Sequence, residues 1–134
     1  MSDSRIVVDA CAVVALLIDP SELGERTARR LLNRQLHAPD HLPVEVTNVL
    51  RRQKQRGALS ETEAQLALHG LWSLPIELWP FEVLRERAWD LGGNVSSYDA
   101  AYVALAERLD APLLTADARL SRAPGAHCTF DLID

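Results

Sequence analysis

Ile6-Val7-Val8-Asp9-Ala10-Cys11-Ala12-Val13-Val14-Ala15-Leu16-Leu17-Ile18 reads as a short buried strand, an acid, and a second apolar run stopped by Asp19-Pro20. A run of three β-formers fits a strand interior, and the longer run after Asp9 fits a short helix from Ala10 to Leu17. Leu113-Leu114-Thr115-Ala116-Asp117 repeats the arrangement near the other end of the chain, with an apolar strand leading to an acid. In an open parallel sheet ligands collect at the carboxyl ends of strands. Two acids placed there point toward one crevice, so these two stretches predict an α/β fold with a mainly parallel sheet.

The sequence between them keeps alternating apolar runs with helical patterns. Ser21 is placed to cap a helix that the spacing of Leu23, Thr27, Leu31 and Leu32 carries to about Leu36, and a very short extended piece covers Leu36-His37-Ala38. A helix is expected from Asp40 or Leu42 to Gly57. Ser60 with Glu63 has the S-x-x-E form of a capping box and opens a helix toward Leu71 or Trp72, which Pro75 stops. Ile76 to Trp79 reads as a strand, Glu82 to Leu91 as a helix closed by Gly92-Gly93, and Tyr98 to Leu109 as a helix. Pro112 to Thr115 reads as a strand, Asp117 to Arg122 as a helical turn, and Cys128 to Ile133 as a last strand. Residues 1–134 are read as one domain, with no repeat, linker or low-complexity segment.

Composition narrows the function. The longest uncharged apolar stretch, Ala10 to Ile18, is too short to span a bilayer, and no basic leader precedes it, so a soluble cytoplasmic protein with no membrane partner is expected. Two cysteines, Cys11 and Cys128, give no disulfide framework. His37 and His41 are four apart, but Pro39 lies between them and no cysteine is near, so they read as core or solvated histidines rather than zinc ligands. Thirteen of the fourteen basic residues are arginine, and eight basic residues fall between Arg26 and Arg56. Guanidinium groups grip phosphate in a bidentate fashion. The same cluster also reads as two solvated helix faces.

Four acids carry the chemistry. Besides Asp9 and Asp117, Asp99 stands in the first turn of its helix with Tyr102, Val103 and Ala106 on the same face, and Glu45 sits in the first two turns of another with Asn48 and Val49. Taken singly, each is explained as a helix cap or a surface charge. Asp99 atop an apolar stripe belongs near the core boundary, where a charge is costly unless paired or metal-bound. Asn48 is placed to hold the Glu45 carboxylate or a water. A cluster of carboxylates suits Mg²⁺ or Mn²⁺, hard cations held by one or two carboxylates while substrate phosphate completes the shell. Removing these four acids from the net charge of −5 leaves −1, so a bound cation makes a polyanionic partner plausible.

Four segments carry a family resemblance. Ile6-Val7-Val8-Asp9-Ala10-Cys11, Pro43 to Leu50 around Glu45, Tyr98 to Glu107 around Asp99, and Leu113 to Leu120 around Asp117 resemble the four acidic motifs of the PIN-domain ribonucleases, specifically the VapC-type toxins of toxin-antitoxin pairs. The similarity runs from near residue 5 to near residue 131, and the third and fourth motifs are the most specific. Cys11 departs from the serine or threonine common there, and a thiol replaces such a hydroxyl poorly. The resemblance implies a PIN-like three-layer α/β/α sandwich and Mg²⁺- or Mn²⁺-dependent endoribonuclease activity. It further implies a cognate antitoxin partner and a homodimer. Asp9, Asp99 and Asp117 are then the expected metal ligands. Glu45 either binds metal or orients water, Thr115 fixes Asp117, and Arg119 meets substrate phosphate. Without a cation the four carboxylates should repel one another, so metal is expected to stabilise the fold. A non-catalytic RNA-binding module of the same architecture and a metal-dependent phosphatase remain alternatives. A phosphoacceptor receiver domain is disfavoured, because Asp9 has no acidic neighbour and Leu78-Trp79-Pro80-Phe81 offers no acceptor.

Overall fold

The computed structural model describes residues 4–133, and every strand pairing within them is parallel. The strands are β1 (Arg5–Val8), β2 (Gln35–Pro39), β3 (Ile76–Trp79), β4 (Leu113–Thr115) and β5 (Phe130–Leu132), in the spatial order β3-β2-β1-β4-β5. The helices are α1 (Ala10–Ile18), α2 (Glu22–Leu31), α3 (Leu42–Gln55), α4 (Glu61–Ser73), α5 (Arg85–Asp90) and α6 (Ser97–Leu109). The chain moves outward from β1 through β2 to β3, then crosses back to β4. Because βαβ crossovers are right-handed, that reversal puts α1 to α4 on one face of the sheet and α5 and α6 on the other. The α/β/α sandwich expected from the sequence is the result.

β1 is the centre of the fold. Ile6, Val7 and Val8 are fully buried, and Val7 and Val8 lie level with Leu113 and Leu114 of β4, which are buried as completely. Near-continuous apolar runs are what a strand covered on both faces requires. On the second face α6 lies across β1, β2 and β4. Its small residues Ala100, Ala101, Ala104 and Ala106 are buried, letting the helix pack closely on the sheet.

Three boundaries differ from the sequence reading. α2 ends at Leu31 instead of Leu36, because Leu32 is exposed and Asn33 takes a left-handed backbone (φ 61°), a conformation asparagine tolerates. The region expected to form one helix from Glu82 to Leu91 is a 3₁₀ turn over Phe81–Val83 followed by α5. Leu84 divides them, buried in the core, and its N–H donates to the Phe81 carbonyl at 2.8 Å. The last strand shrinks to Phe130–Leu132. The capping box at Ser60 and Glu63 forms in both directions, at 3.0 and 2.8 Å. The leucine-rich end of α4 divides as well. Leu71 is core and Leu68 and Leu74 pack against it, while Leu66 and Trp72 face outward.

Much of the basic cluster serves structure. Arg30 pairs with Asp131, Arg34 donates to the Ser4 and Arg5 carbonyls, and Lys54 pairs with Glu61 at 2.9 Å. Gly24 of α2 lies against the backbone at the end of α1: a Cβ there would meet the Asp19 carbonyl oxygen at 2.1 Å and the Ala15 carbonyl oxygen at 3.2 Å. Gly24→Ala is therefore expected to destabilise by about 1–3 kcal/mol, although alanine has the better helix propensity. Chemical denaturation of the two proteins would measure this, and an unchanged midpoint would show that the helices can part without cost.

Candidate active site

The reversal of strand order lies between β1 and β4, and the crevice of an open α/β sheet opens at such a point, beyond the carboxyl ends of the strands. Asp9 follows β1 directly. Its backbone N–H continues the ladder to the Leu114 carbonyl (3.3 Å), and its Oδ1 caps α1 by accepting from the Ala12 N–H at 2.9 Å. The residue is only 5% exposed. Burial pushes its carboxyl up to about 6, with the charges of Asp99 and Asp117 adding to the rise and hydrogen bonds from Thr115 and Ala12 opposing it.

Asp117 lies two residues past β4. Its Oδ1 accepts from the Arg119 N–H (2.9 Å) and the Leu120 N–H (3.2 Å), and its Oδ2 is 3.7 Å from the Arg119 guanidinium. Thr115 is wholly buried between the two acids. Its hydroxyl lowers the Asp9 carboxyl and accepts from the Asp117 N–H at 3.0 Å. One side chain thus sets the position of both strand-end acids, where the sequence linked it to Asp117 alone.

Asp99 reaches the same place from α6. Ser96 caps that helix by accepting from the Asp99 N–H at 3.1 Å, so the aspartate is not needed as the cap. Its carboxyl is raised, first by burial, then by Glu45 and Asp117, against the lowering effect of Arg119 and Ser96. Glu45 comes from the first turn of α3 and behaves in the opposite way. Burial pushes its carboxyl up, but hydrogen bonds from His41 and Tyr102 outweigh that and leave it lowered. The Tyr102 hydroxyl donates to Glu45 Oε1 at 2.6 Å, and His41 Nε2 lies 3.2 Å from the same oxygen.

Asn48, expected to hold Glu45, is exposed and makes no hydrogen bond to it. Tyr102 and His41 do that work, and neither was singled out for it from the sequence. The signal was present at Tyr102, three residues past Asp99 on the same helical face, where its ring read as apolar stripe. Burial and the nearby acids raise its phenol strongly, so it stays a donor. His37 is a core histidine as expected, its Nδ1 accepting from Trp79 Nε1 at 3.1 Å. Cys11 is solvent-accessible, and partial burial with the surrounding carboxylates holds its thiol up at about 11, so it is no thiolate at neutral pH.

The structure therefore brings all four predicted acids within electrostatic reach of one another, with Thr115 and Arg119 beside them. Among the described residues no three His, Cys, Asp or Glu side chains close into a ready-made metal cage. Mg²⁺ keeps several waters and takes only one or two carboxylates, and the donors here are hard oxygens, one of them a buried acid repelled by its neighbours.

Tyr102→Phe keeps the buried ring and deletes the bond to Glu45. It is expected to cost about 1–3 kcal/mol at neutral pH, to raise the Glu45 carboxyl, and to act non-additively with Glu45→Gln. Denaturation of the single and double variants would measure the coupling, and strict additivity would mean that the 2.6 Å bond contributes nothing.

Residues 6–126 match the family model described as PIN domain. Ribonuclease VapC12 of Mycobacterium tuberculosis is 38% identical over 128 residues, covering 96% of this chain and 98% of that protein. Among solved structures, VapC20 of Mycobacterium tuberculosis, described as a sarcin-ricin loop cleaving toxin, superposes with a TM-score of 0.67 at 18% identity, covering 87% of this chain and 92% of that one. VapBC-5 of the same organism, a member of the VapBC family of toxin-antitoxin systems, gives a TM-score of 0.54 at 17% identity, over 97% and 98%. The chain, with its four acids gathered at the strand-order reversal, belongs to the PIN domain family and within it to the VapC ribonucleases.

Proposed function

We propose that this protein is a metal-dependent endoribonuclease that hydrolyses RNA phosphodiester bonds in the cytoplasm as the toxin of a toxin-antitoxin pair. The observation that carries the reading is the Asp9 carboxylate, 5% exposed at the β1/β4 crevice and pushed up by burial and by two further acids. A protein keeps such a charge buried when something offsets it. Asp9, Asp99 and Asp117 would hold Mg²⁺ or Mn²⁺, which when bound supplies Lewis acidity toward a phosphodiester and a lowered pKa for water. The family name supports ribonuclease action, and the toxin described for VapC20 supports RNA as the class of substrate.

The chain's own residues divide the remaining work. Glu45 has Oε1 committed to Tyr102 and His41, which leaves Oε2 to accept a hydrogen bond from water. Its lowered carboxyl keeps it ionised at neutral pH, so it serves as an orienting acceptor aimed by its two partners. Arg119, 84% exposed and tethered by its backbone to Asp117, is free to meet a phosphate oxygen beside the acids.

A cognate antitoxin is part of this reading, supported by the toxin-antitoxin description of VapBC-5. A partly apolar depression of about 470 Å³, bounded by Val14, Ile18, Leu23, Val49 and Leu59, begins at Cys11 beside the acids and offers a partner helix its apolar face. A homodimer belongs to it too. Leu78 of the edge strand β3 and Phe81 and Val83 of the 3₁₀ turn after it are exposed, apolar surface available to a second copy.

Incubation of the partner-free protein with total RNA and defined tRNAs, in Mg²⁺, Mn²⁺ or EDTA, should give discrete cleavage that needs metal and disappears in Asp99→Asn. Absence of cleavage by a folded protein that binds RNA would instead indicate the non-catalytic module. Asp9→Asn should also abolish cleavage, while stabilising the metal-free protein at pH 7. The sign follows from a folded-state carboxyl near 6 against 3.8 unfolded. Stability from the protonated acid is complete below the lower value and lost as pH rises through the higher, about 3 kcal/mol at most. Melting in EDTA should therefore show an advantage of Asp9→Asn at pH 7 that shrinks toward pH 4, and the reverse trend would refute the buried-charge account. Millimolar Mn²⁺ at pH 7 should raise the melting temperature of the wild type.

A further inference from the structure

The acid site lies between two depressions that its own residues line. One, about 630 Å³, is bounded by Asp99, Arg119, Arg122 and the turn from Gly92 to Val95. The other, about 520 Å³, is bounded by Glu45, Pro43, Val44, Arg51, Trp72 and Tyr98. Val44 and Trp72 are each 71% exposed and Tyr98 61%, although they come from three different helices. A single exposed hydrophobic residue is ordinary. Three lining one hollow that also contains Glu45 form a surface shaped for a flat apolar ligand.

The polar groups around that hollow specify the ligand further. Arg51 is exposed and, among the described residues, makes no ion pair, leaving its guanidinium for an anion. Asn48 lines the same hollow with an exposed amide, able to donate and accept at a base edge. The Tyr98 ring is held edge-on by His41 (centroids 5.3 Å apart, planes at 66°), and His41 is the group that also touches Glu45. The aromatic wall is thereby fixed relative to the acid. A flat aromatic face, an amide, a free guanidinium and a catalytic carboxylate are what a nucleotide with its phosphate presents itself to. A partner helix would bring apolar side chains against Arg51 and Glu45.

We propose that the RNA strand crosses the four acids, with a nucleobase beside the scissile phosphate stacked between Trp72 and Tyr98, Arg51 on the adjoining phosphate, and Arg119 with Arg122 holding the backbone on the other side. This rests on the endoribonuclease reading and specifies its substrate: the nucleotide at the site must be unpaired, because a base inside a duplex has no free face to stack.

The test is fluorescence anisotropy of a short fluorescein-labelled single-stranded RNA of randomised sequence, in EDTA, with light scattering and Mn²⁺-dependent cleavage run in parallel. Trp72→Ala should weaken binding between about 5-fold and about 150-fold without changing its salt dependence, and Trp72→Phe should retain most of the affinity. Arg51→Ala and Arg119→Ala should each flatten the log–log salt slope by about 0.7. The fully paired form of the RNA should bind equally to wild type and Trp72→Ala. Wild-type affinity in Trp72→Ala, with a dimer dissociated or an antitoxin lost, would assign the hollow to a protein partner and overturn the proposal. Metal-dependent cleavage by the wild type with unchanged KM in Trp72→Ala would also overturn it while leaving the nuclease reading intact. A wild type that neither cleaves nor binds RNA would remove both.

Discussion

A carboxylate held at 5% exposure beyond the central strand is the constraint on which the arrangement of this protein depends. Burial is the largest influence on Asp9, and the features that oppose it are all local: the N-cap bond to Ala12 and the hydroxyl of Thr115. The second requires the strand order to be what it is. Thr115 stands beside Asp9 only because β4 pairs with β1 in the register Val8 to Leu114, so a slip of one residue would turn its hydroxyl to the opposite face of the sheet. The fully buried Val7, Val8, Leu113 and Leu114 hold that register. Core packing and site chemistry are in this sense one constraint, because the same apolar contacts that exclude water from the sheet desolvate the acid at its end.

The four acids are not equivalent, and their surroundings say why. Asp9 and Asp99 are raised, first by burial and then by other carboxylates. Glu45 is lowered, because the Tyr102 hydroxyl donates to one of its oxygens and His41 stands 3.2 Å from the same atom. A raised acid has a charge that its folded surroundings leave uncompensated, and a cation lowers its free energy most. A lowered acid is already satisfied and gains less. Neighbouring carboxylates with carboxyls moved in opposite directions are the pattern expected when groups of one chemical type serve different roles.

What the sequence disclosed follows the range of the interactions involved. β1, β4, the capping box at Ser60 and α6 were legible because their signals are local: apolar runs, Ser-x-x-Glu spacing, small residues at helical period. The end of α2 was not, since Leu31-Leu32 continues a helical pattern in sequence while the extended backbone of Leu32 and the left-handed Asn33 after it end the helix. The split at Leu84 was hidden for the same reason, a core residue taking precedence over a continuous helical pattern. At the site, the acids could be named from their positions at strand ends and helix starts. Tyr102 could not be named as a partner, because it meets Glu45 across 57 residues, whereas His41 stands four residues before Glu45, a spacing that local reading covers. Asn48 was favoured by proximity along the helix, yet three residues of helical spacing left it pointing to water.

Net charge illustrates the same limit of local reading. A chain of −5 would be repelled by RNA if its charges were spread evenly, and they are not. The cluster from Arg26 to Arg56 suggested a basic face, but Arg30, Arg34 and Lys54 are consumed in holding α2, β1 and α4. The arginines placed to meet a polyanion are fewer: Arg51, from that cluster, on one flank of the acids, and Arg119 and Arg122, outside it, on the other. A phosphodiester approaching Asp9, Asp99 and Asp117 meets repulsion at the centre and attraction at both sides. On the proposed path such a field would disfavour an anion too short to span it and favour a strand long enough to place phosphates on both flanks, so selectivity for a polymer over a free nucleotide would come from where three guanidinium groups stand rather than from the sum of the charges.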